Sequence, residues 1–395
     1  MTLSGRIILK KGKEVSIQRK HPWIFSGAIQ KLEGISTEGT WVEVTDFKGE
    51  TLGYGHYQNG SIAVRMLSFD PSRPTENFWI ERLSAALETR KASGLPSADT
   101  NAFRLVHGEG DGLPGLVIDY YDGVPVVQAH SAGMHLDRAI IAEALKEVLQ
   151  GYLKAIYYKS HGTLPGKMRD DSSEEYLLGM GIVPHIITEN GNKFYVDWEE
   201  GQKTGFFLDQ RENRKLLGSF SPGKKVLNTF CYTGGFSIYA LNAGASVVHS
   251  VDASEKALEL TRKNLGLNGF NANIHKCFAE DTFDFMKDKQ AVYDVIILDP
   301  PAFAKHRDAR HQAVRGYQRL NTEAMDKIKP GGIIFTFSCS QVVDRQLFYD
   351  TIVSSAIQAR RTIKVLHHLS QPADHPVSIF HPEGEYLKGL VLYVE

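Results

Sequence analysis

Two short segments carry side chains that can act together on one substrate, Asp299-Pro300-Pro301-Ala302-Phe303 and Ser338-Cys339-Ser340. Each ends an apolar run, Val295-Ile296-Ile297-Leu298 in the first case and residues 331–337 in the second. Short β-branched runs bounded by turn residues read as buried parallel strands. The carboxyl ends of neighbouring parallel strands line one crevice, so an acid and a thiol placed there face the same substrate. That pairing suggests covalent group transfer onto a flat aromatic ring.

The elements that must position these groups are legible around them. Between the two runs, Ala313, Val314, Tyr317, Leu320, Ala324, Met325 and Ile328 recur at helical spacing, which predicts a crossover helix over 309–327. From about residue 191 onward, strand-like and helix-like stretches alternate, as in a mostly parallel, doubly wound α/β sheet. Its opening strand, residues 225–230, runs into Cys231-Tyr232-Thr233-Gly234-Gly235-Phe236-Ser237. The next, 246–251, ends in Asp252. Glycines after the first strand let backbone approach a ligand, and an acid at the tip of the second can accept both hydroxyls of a ribose. A dinucleotide fold prefers Gly-x-Gly-x-x-Gly for its pyrophosphate, whereas this loop has adjacent glycines among bulky residues. Asp281, after the third strand, stands where an adenine amino group can be read. S-adenosylmethionine (SAM) suits this set better than NAD.

Upstream, residues 6–69 read as short strands with Gly-rich turns, a small β-barrel, and Asp70-Pro71-Ser72-Arg73-Pro74 breaks the pattern before a helix over 78–91. Residues 71–190 read as an α+β module, with strands near 116–120, 124–129 and 155–159 and one helix over 135–149. The glycines of 108–115 read as turn chemistry. Three domains are therefore expected: 1–70, 71–190 and 191–395.

At 395 residues, 42% hydrophobic and 23% charged, the composition is that of an ordinary globular chain of more than one domain. No stretch approaches the roughly 20 apolar residues of a membrane span, and the first residues, from Met1-Thr2, lack a signal-peptide core. A cytoplasmic location without membrane partners is expected. Cys231, Cys277 and Cys339 cannot close a disulfide framework and lack zinc spacing. Cys277, ending the apolar stretch from Ala272, reads as a small hydrophobe. His375 and His381, with Asp374 among prolines, read as loop-shaping residues, and no metal is expected.

The net charge of −1 hides two basic runs: Arg6, Lys10, Lys11, Lys13, Arg19, Lys20 and Lys31 near the N-terminus, and Lys305, Arg307, Arg310, Arg315 and Arg319 after the Asp299 motif. Either is readily a solvated face, but the second lies where contacts to nucleic-acid phosphates would serve the site. Trp23, Phe25 and Tyr57 are candidates for stacking on RNA bases, with barrel core as the alternative.

Taken in order, residues 229–237, Val251-Asp252-Ala253-Ser254, Ala279-Glu280-Asp281, Asp299-Pro300-Pro301-Ala302-Phe303 and Ser338-Cys339-Ser340 resemble class I methyltransferase motifs. Residues 202–211, His21-Pro22-Trp23-Ile24-Phe25-Ser26-Gly27 and Gly110-Asp111-Gly112-Leu113-Pro114-Gly115 resemble the RlmI-type bacterial 23S rRNA 5-methylcytosine methyltransferases, so the likeness spans nearly the whole chain. The resemblance implies a PUA-like RNA-binding domain, a small central α+β domain and a Rossmann-like methyltransferase domain. It implies Phe230, Tyr232, Gly234 and Gly235 around SAM, Asp252 at its ribose, Asp281 at its adenine, and Phe207, Asp209 and Gln210 on a covering segment. Cys339 matches the nucleophile, and the substrate would be 23S rRNA or a ribosomal subunit precursor. Assembly is left open, a homodimer being one option.

The chemistry agrees with that match. Cytosine C5 is a poor nucleophile until a thiolate adds at C6 and makes it enamine-like. Asp299 can then hydrogen-bond the base edge and assist protonation at N3. Other RNA 5-methylcytosine enzymes carry a second Cys after the acid-Pro pair; Pro301-Ala302 stand here, which leaves the base that removes the C5 proton unassigned. If Ser-Cys-Ser is only a small-residue turn, Asp-Pro-Pro suits N-methylation of an exocyclic amine. A non-catalytic RNA-binding protein is the more distant alternative.

Overall fold

The computed structural model describes residues 3–170, 173–271, 273–287, 292–304 and 306–395. Met1, Thr2, Ala272 and Lys305, named above, lie outside the described residues. Two compact units form: residues 1–187, 196–206 and 373–384 in one, residues 188–195, 207–372 and 385–395 in the other.

In the first unit, β1 (Leu3–Leu9), β2 (Trp23–Phe25), β3 (Ile29–Glu33), β4 (Trp41–Thr45), β5 (Thr51–Tyr57) and β6 (Ile62–Ser68) make a six-stranded sheet ordered β2-β6-β5-β4-β1-β3. Alternation drives it: Ile7 and Leu9, Val42 and Val44, Val64 and Met66 all point into one buried cluster. A Cβ on Gly53 or Gly55 would lie 2.1 or 2.2 Å from the carbonyl oxygens of Ser68 and Arg65, so only glycine lets β5 lie against β6 there. The sequence reading missed β2 and β3, the one too short and the other too polar to stand out.

The helix Phe78–Ala92 then leads to β7 (Ala102–His107), β8 (Leu116–Tyr121), β9 (Val124–Ala129), β10 (Ile156–Tyr158) and β11 (Glu175–Leu178), ordered β11-β10-β9-β8-β7. The single helix expected over 135–149 is instead two, Ala132–Leu136 and Arg138–Val148. Asp137 interrupts it because its carboxylate accepts from Trp41 Nε1 at 2.8 Å and lies 3.1 Å from His56 Nε2. Leu136 and Ile140 are exposed. A hairpin of β12 (His185–Glu189) and β13 (Asn192–Val196) follows.

The second unit is built on a seven-stranded sheet: β14 (Lys225–Thr229), β15 (Val247–Asp252), β16 (His275–Ala279), β17 (Tyr293–Leu298), β18 (Ile328–Ser338), β19 (Ile363–Leu369) and β20 (Lys388–Val394). Their order is β16-β15-β14-β17-β18-β20-β19. The first five run parallel, and β20 is antiparallel to both its neighbours. Right-handed crossovers demand helices between parallel strands, and Gly235–Asn242, Glu255–Leu267, Thr282–Lys287 and Arg310–Lys327 supply them. Ser254 and Asp344 cap helices by accepting the N–H groups of Ala257 and Leu347. Among the described residues, no helix is long and apolar enough to cross a membrane.

Candidate active site

Parallel pairing puts the carboxyl ends of β16, β15, β14, β17 and β18 on one edge of the sheet, with the switch in strand order between β14 and β17. On one side of that switch the loop after β14 is sharply bent. Phe230 (φ +53°), Tyr232 (φ +46°) and Gly234 (φ +76°) are all left-handed, a conformation costing bulky residues on the order of 1–2 kcal/mol each. Such strain persists where surroundings over-determine it, and here they do. The Tyr232 N–H donates to Asp252 Oδ2 at 2.9 Å, the Tyr232 carbonyl accepts from Thr261 Oγ1 at 2.8 Å, and a Cβ on Gly234 would fall 2.6 Å from Thr261 Cγ2.

Asp252 also takes the Ser254 N–H on Oδ1 at 2.9 Å. Each carboxylate oxygen is thus oriented by one backbone donor and keeps a lone pair for a ribose hydroxyl. This fits a nucleoside. Asp281 is exposed and uses Oδ1 to accept the Phe283 and Asp284 N–H groups at the start of its helix. Cys231 is buried with its thiol pushed well up by desolvation, a packing role. Cys277, on β16, is held up in the same way.

The segment over 207–210 is anchored by residues that no motif announced. Arg214 forms a bidentate pair with Glu189, at 2.8 and 2.7 Å, and both are buried. Burial alone would pull the guanidinium pKa down; the Glu189 carboxylate outweighs it and holds it above the ordinary value. The same guanidinium donates to the Phe207 carbonyl at 3.0 Å, and Phe207 meets Tyr232 edge to face with ring centroids 5.1 Å apart. Asp209 accepts from the Tyr386 hydroxyl at 2.7 Å. Gln210 donates to Asp299 Oδ1 at 3.0 Å and accepts from Asn213 at 2.6 Å.

On the other side of the switch, Leu298 pairs with Thr336, so Asp299 and Cys339 leave the ends of adjacent strands. Their two turns are tied directly: the Ser340 hydroxyl donates to the Ala304 carbonyl at 2.7 Å. Ser340 and Ser338 are buried while Cys339 is partly exposed. Tyr317, fully buried on the crossover helix, has its phenol pushed up to about 12, chiefly by burial, with the Cys339 and Asp299 charges adding to the shift. Lys388, missed by sequence reasoning, donates from Nζ to the Ser340 carbonyl at 2.8 Å and the Tyr386 carbonyl at 2.7 Å.

In the first unit, Asp374 is structural: its carboxylate accepts the Arg104 N–H at 3.0 Å and its carbonyl accepts from Arg90 at 2.8 Å. His21, far away in sequence, gathers in space with His381 and Glu383, their candidate ligand atoms within 4.8 Å of one another, and each imidazole is 3.9–4.0 Å from Glu383. Neighbouring ligands of a tetrahedral zinc stand only about 3.4 Å apart. Phe25 is exposed, whereas Trp23 donates to Glu109 at 2.9 Å and Tyr57 packs on the core. Of the basic residues, Arg6 is bonded to Glu43 at 2.8 Å, Lys31 pairs with Glu33, and Lys20 lies over the Phe380 ring. In the second run, Arg310 pairs with Asp344 and Arg319 with Glu323.

Comparison with known proteins agrees with this geometry. A family model of S-adenosylmethionine-dependent methyltransferases matches residues 103–384, and one of PUA-like domains matches 7–69. Curated proteins named ribosomal RNA large subunit methyltransferase I align along the whole chain. The one from Shewanella amazonensis is 40% identical over 99% of this chain and 100% of its own, and that from Alteromonas mediterranea 38% identical over 99% of each. Among solved structures, a SAM-dependent methyltransferase from Streptococcus mutans superposes with a TM-score of 0.83 at 22% identity, covering 98% of this chain and 100% of that one. A methyltransferase complexed with SAH gives 0.84 at 23%, with the same coverage. The fold expected from sequence, a PUA-like domain ahead of a Rossmann-like methyltransferase, is the fold found, and SAM is its cofactor. The chain belongs to the S-adenosylmethionine-dependent methyltransferases, in the family whose curated members are named ribosomal RNA large subunit methyltransferase I.

Proposed function

We propose that this protein methylates C5 of a cytosine in 23S ribosomal RNA through a transient bond between Cys339 and C6 of the base. The substrate class follows from the full-length relatives, named as large-subunit rRNA methyltransferases, and from the PUA-like segment at 7–69. The observation that supports the mechanism is the hydrogen bond from the Ser340 hydroxyl to the Ala304 carbonyl, which ties the segment after Cys339 to the segment after Asp299 beyond the ends of adjacent strands.

Bound SAM supplies an electrophilic methyl group. Asp252 would orient its ribose, Asp281 its adenine, and Phe230, Tyr232, Gly234 and Gly235 would line its loop, with Phe207, Asp209 and Gln210 covering it. Cys339, as thiolate, adds to C6; the C5–C6 π electrons move toward C5 while N3 takes a proton assisted by Asp299. After C5 has gained the methyl, the donor leaving as its neutral thioether, loss of the C5 proton restores the C5–C6 double bond and breaks the S–C6 bond, returning the thiolate, and release of the N3 proton restores the neutral base. Pro300, buried at the end of β17, stiffens the turn that holds Asp299. The domain at 1–70 would hold RNA ahead of the central domain, 71–190, and the methyltransferase domain, 191–395.

Trapping tests this reading. RNA carrying 5-fluorocytidine should arrest wild-type enzyme as a covalent adduct, since fluorine cannot leave as the proton does. Cys231→Ala and Cys277→Ala should still be trapped, and Cys339→Ala should neither be trapped nor turn over. Substantial activity in Cys339→Ala, or no adduct with wild type, would favour methylation of an exocyclic amine positioned by Asp299. Mass spectrometry of rRNA nucleosides with and without the gene reports the base and methyl position.

A further inference from the structure

We infer that Lys388 is the positioning residue for Cys339: its ammonium holds the Ser338-Cys339-Ser340 turn and favours the thiolate form of the cysteine. This deepens the reading above and rests on Cys339 being the nucleophile. Lys388 opens β20 directly opposite Ser338 in the antiparallel register, and only 3% of it is exposed. Two of its three N–H donors are spent on the carbonyls of Ser340 and Tyr386. Among the described residues it forms no ion pair with a carboxylate. A buried ammonium hydrogen-bonded only to neutral carbonyls is costly unless an anion lies close, and a thiolate at Cys339, one residue from the bonded carbonyl, supplies one whose charge acts on Lys388 ahead of those of Glu385 and Asp344.

The surrounding charges leave this role to Lys388. The charges that act on Lys388 besides Cys339 are those of Asp344, the N-cap of the helix Arg345–Ala359, of Arg345 at its start, and of Glu385 from the segment before β20. Arg345 is bonded to Glu385, so its charge is largely neutralised at the site. Tyr317, which feels the charges of both Cys339 and Asp299, offers no positive charge. Burial lowers the Lys388 pKa to about 8, with the Cys339 charge acting in the opposite direction, so the ammonium is still mostly charged near neutrality. Cysteines beside a cation ionise at lower pH than free ones, the proton passing to solvent.

The test is the pH dependence of Cys339 alkylation by iodoacetamide in the full chain, read by peptide mass spectrometry so that Cys231 and Cys277 are scored separately. Wild-type Cys339 should react with an apparent pKa below the ordinary value of about 8.5. Lys388→Met should raise that pKa by about one unit and slow alkylation at pH 7 roughly tenfold, and Lys388→Arg should restore most of it. A wild-type pKa at or above 8.5, or superimposable wild-type and Lys388→Met profiles, would overturn the inference. If Lys388→Met does not fold by circular dichroism, the wild-type profile and Lys388→Arg decide. The two readings fail separately: activity in Cys339→Ala refutes the covalent mechanism whatever the thiol profile, and successful trapping with an unshifted profile refutes only the role of Lys388.

Discussion

Gln210 donates its side-chain amide to Asp299 Oδ1 at 3.0 Å, so the segment matched to cofactor covering is bonded to the acid matched to the base. Gln210 is buried and is itself held by Asn213. A hydrogen bond to a charged group is worth about 1.5–3 kcal/mol. Gln210→Ala should therefore cut kcat by at least about tenfold while SAM affinity by calorimetry changes less. A loss confined to SAM affinity would separate Gln210 from Asp299.

Asp252 has one backbone donor on each oxygen, an arrangement that keeps the carboxylate aimed. Asp252→Ala should weaken SAM binding by about 2 kcal/mol, the order of a pair of charge-assisted bonds. Unchanged affinity in a titration calorimeter would remove the ribose role.

The Arg214–Glu189 pair makes a stability prediction with a sign. Arg214→Met strands a buried carboxylate and should destabilise by about 3–5 kcal/mol in chemical denaturation. Replacing both partners by Met should recover much of that loss, because no uncompensated charge remains. Equal losses in the single and double variants would contradict this account.

His275, buried and 2.8 Å from Ser250 Oγ, has its pKa lowered from 6.5 to about 4, by burial first and then by the His249 and Arg262 charges. Above pH 6.5 it is neutral folded or unfolded and contributes nothing. Between about 6.5 and 4 the unfolded chain takes up a proton that the folded chain does not, so stability falls as pH falls. The gap of about 2.5 units corresponds to roughly 3 kcal/mol by pH 4. Urea midpoints measured across that window should flatten in His275→Asn; an unchanged slope would exonerate the imidazole.

In the N-terminal basic run, Arg6 is occupied by Glu43, so a role of the run in holding RNA would rest on residues such as Lys13, Arg19 and Lys20. Replacing Lys13, Arg19 and Lys20 together with Ala should weaken RNA binding and reduce the salt dependence of log K by roughly 2, at about 0.7 per phosphate for single strands. Arg6→Ala should do much less. An unaltered slope in the triple variant would make the run a solvated face.

The methyltransferase sheet was legible because its strands are short, apolar and bounded by turns, and because the chemistry sits at their ends. Residues 293–298 and 225–229 needed only that pattern. The helix over 135–149 misled because periodicity cannot report that Asp137 is claimed by Trp41 from an earlier strand. Glu189, Arg214 and Lys388 were invisible for a related reason: a buried charge is recognised by its partner, and each partner is far away in sequence. Gln210 was readable only by resemblance, and its bond to Asp299 spans 89 positions.

The seventh strand in chain order, β20, lies between β18 and β19 rather than at an edge. During synthesis, β14 through β18 leave the ribosome well before residues 388–394 do. With Lys388 acting as proposed, a nascent chain carries the whole cofactor half and a Cys339 with an ordinary, sluggish thiol until the last strand inserts. Reactivity is thus deferred until β20 is in place, which shields the nucleophile from oxidants and stray electrophiles while the sheet is still incomplete.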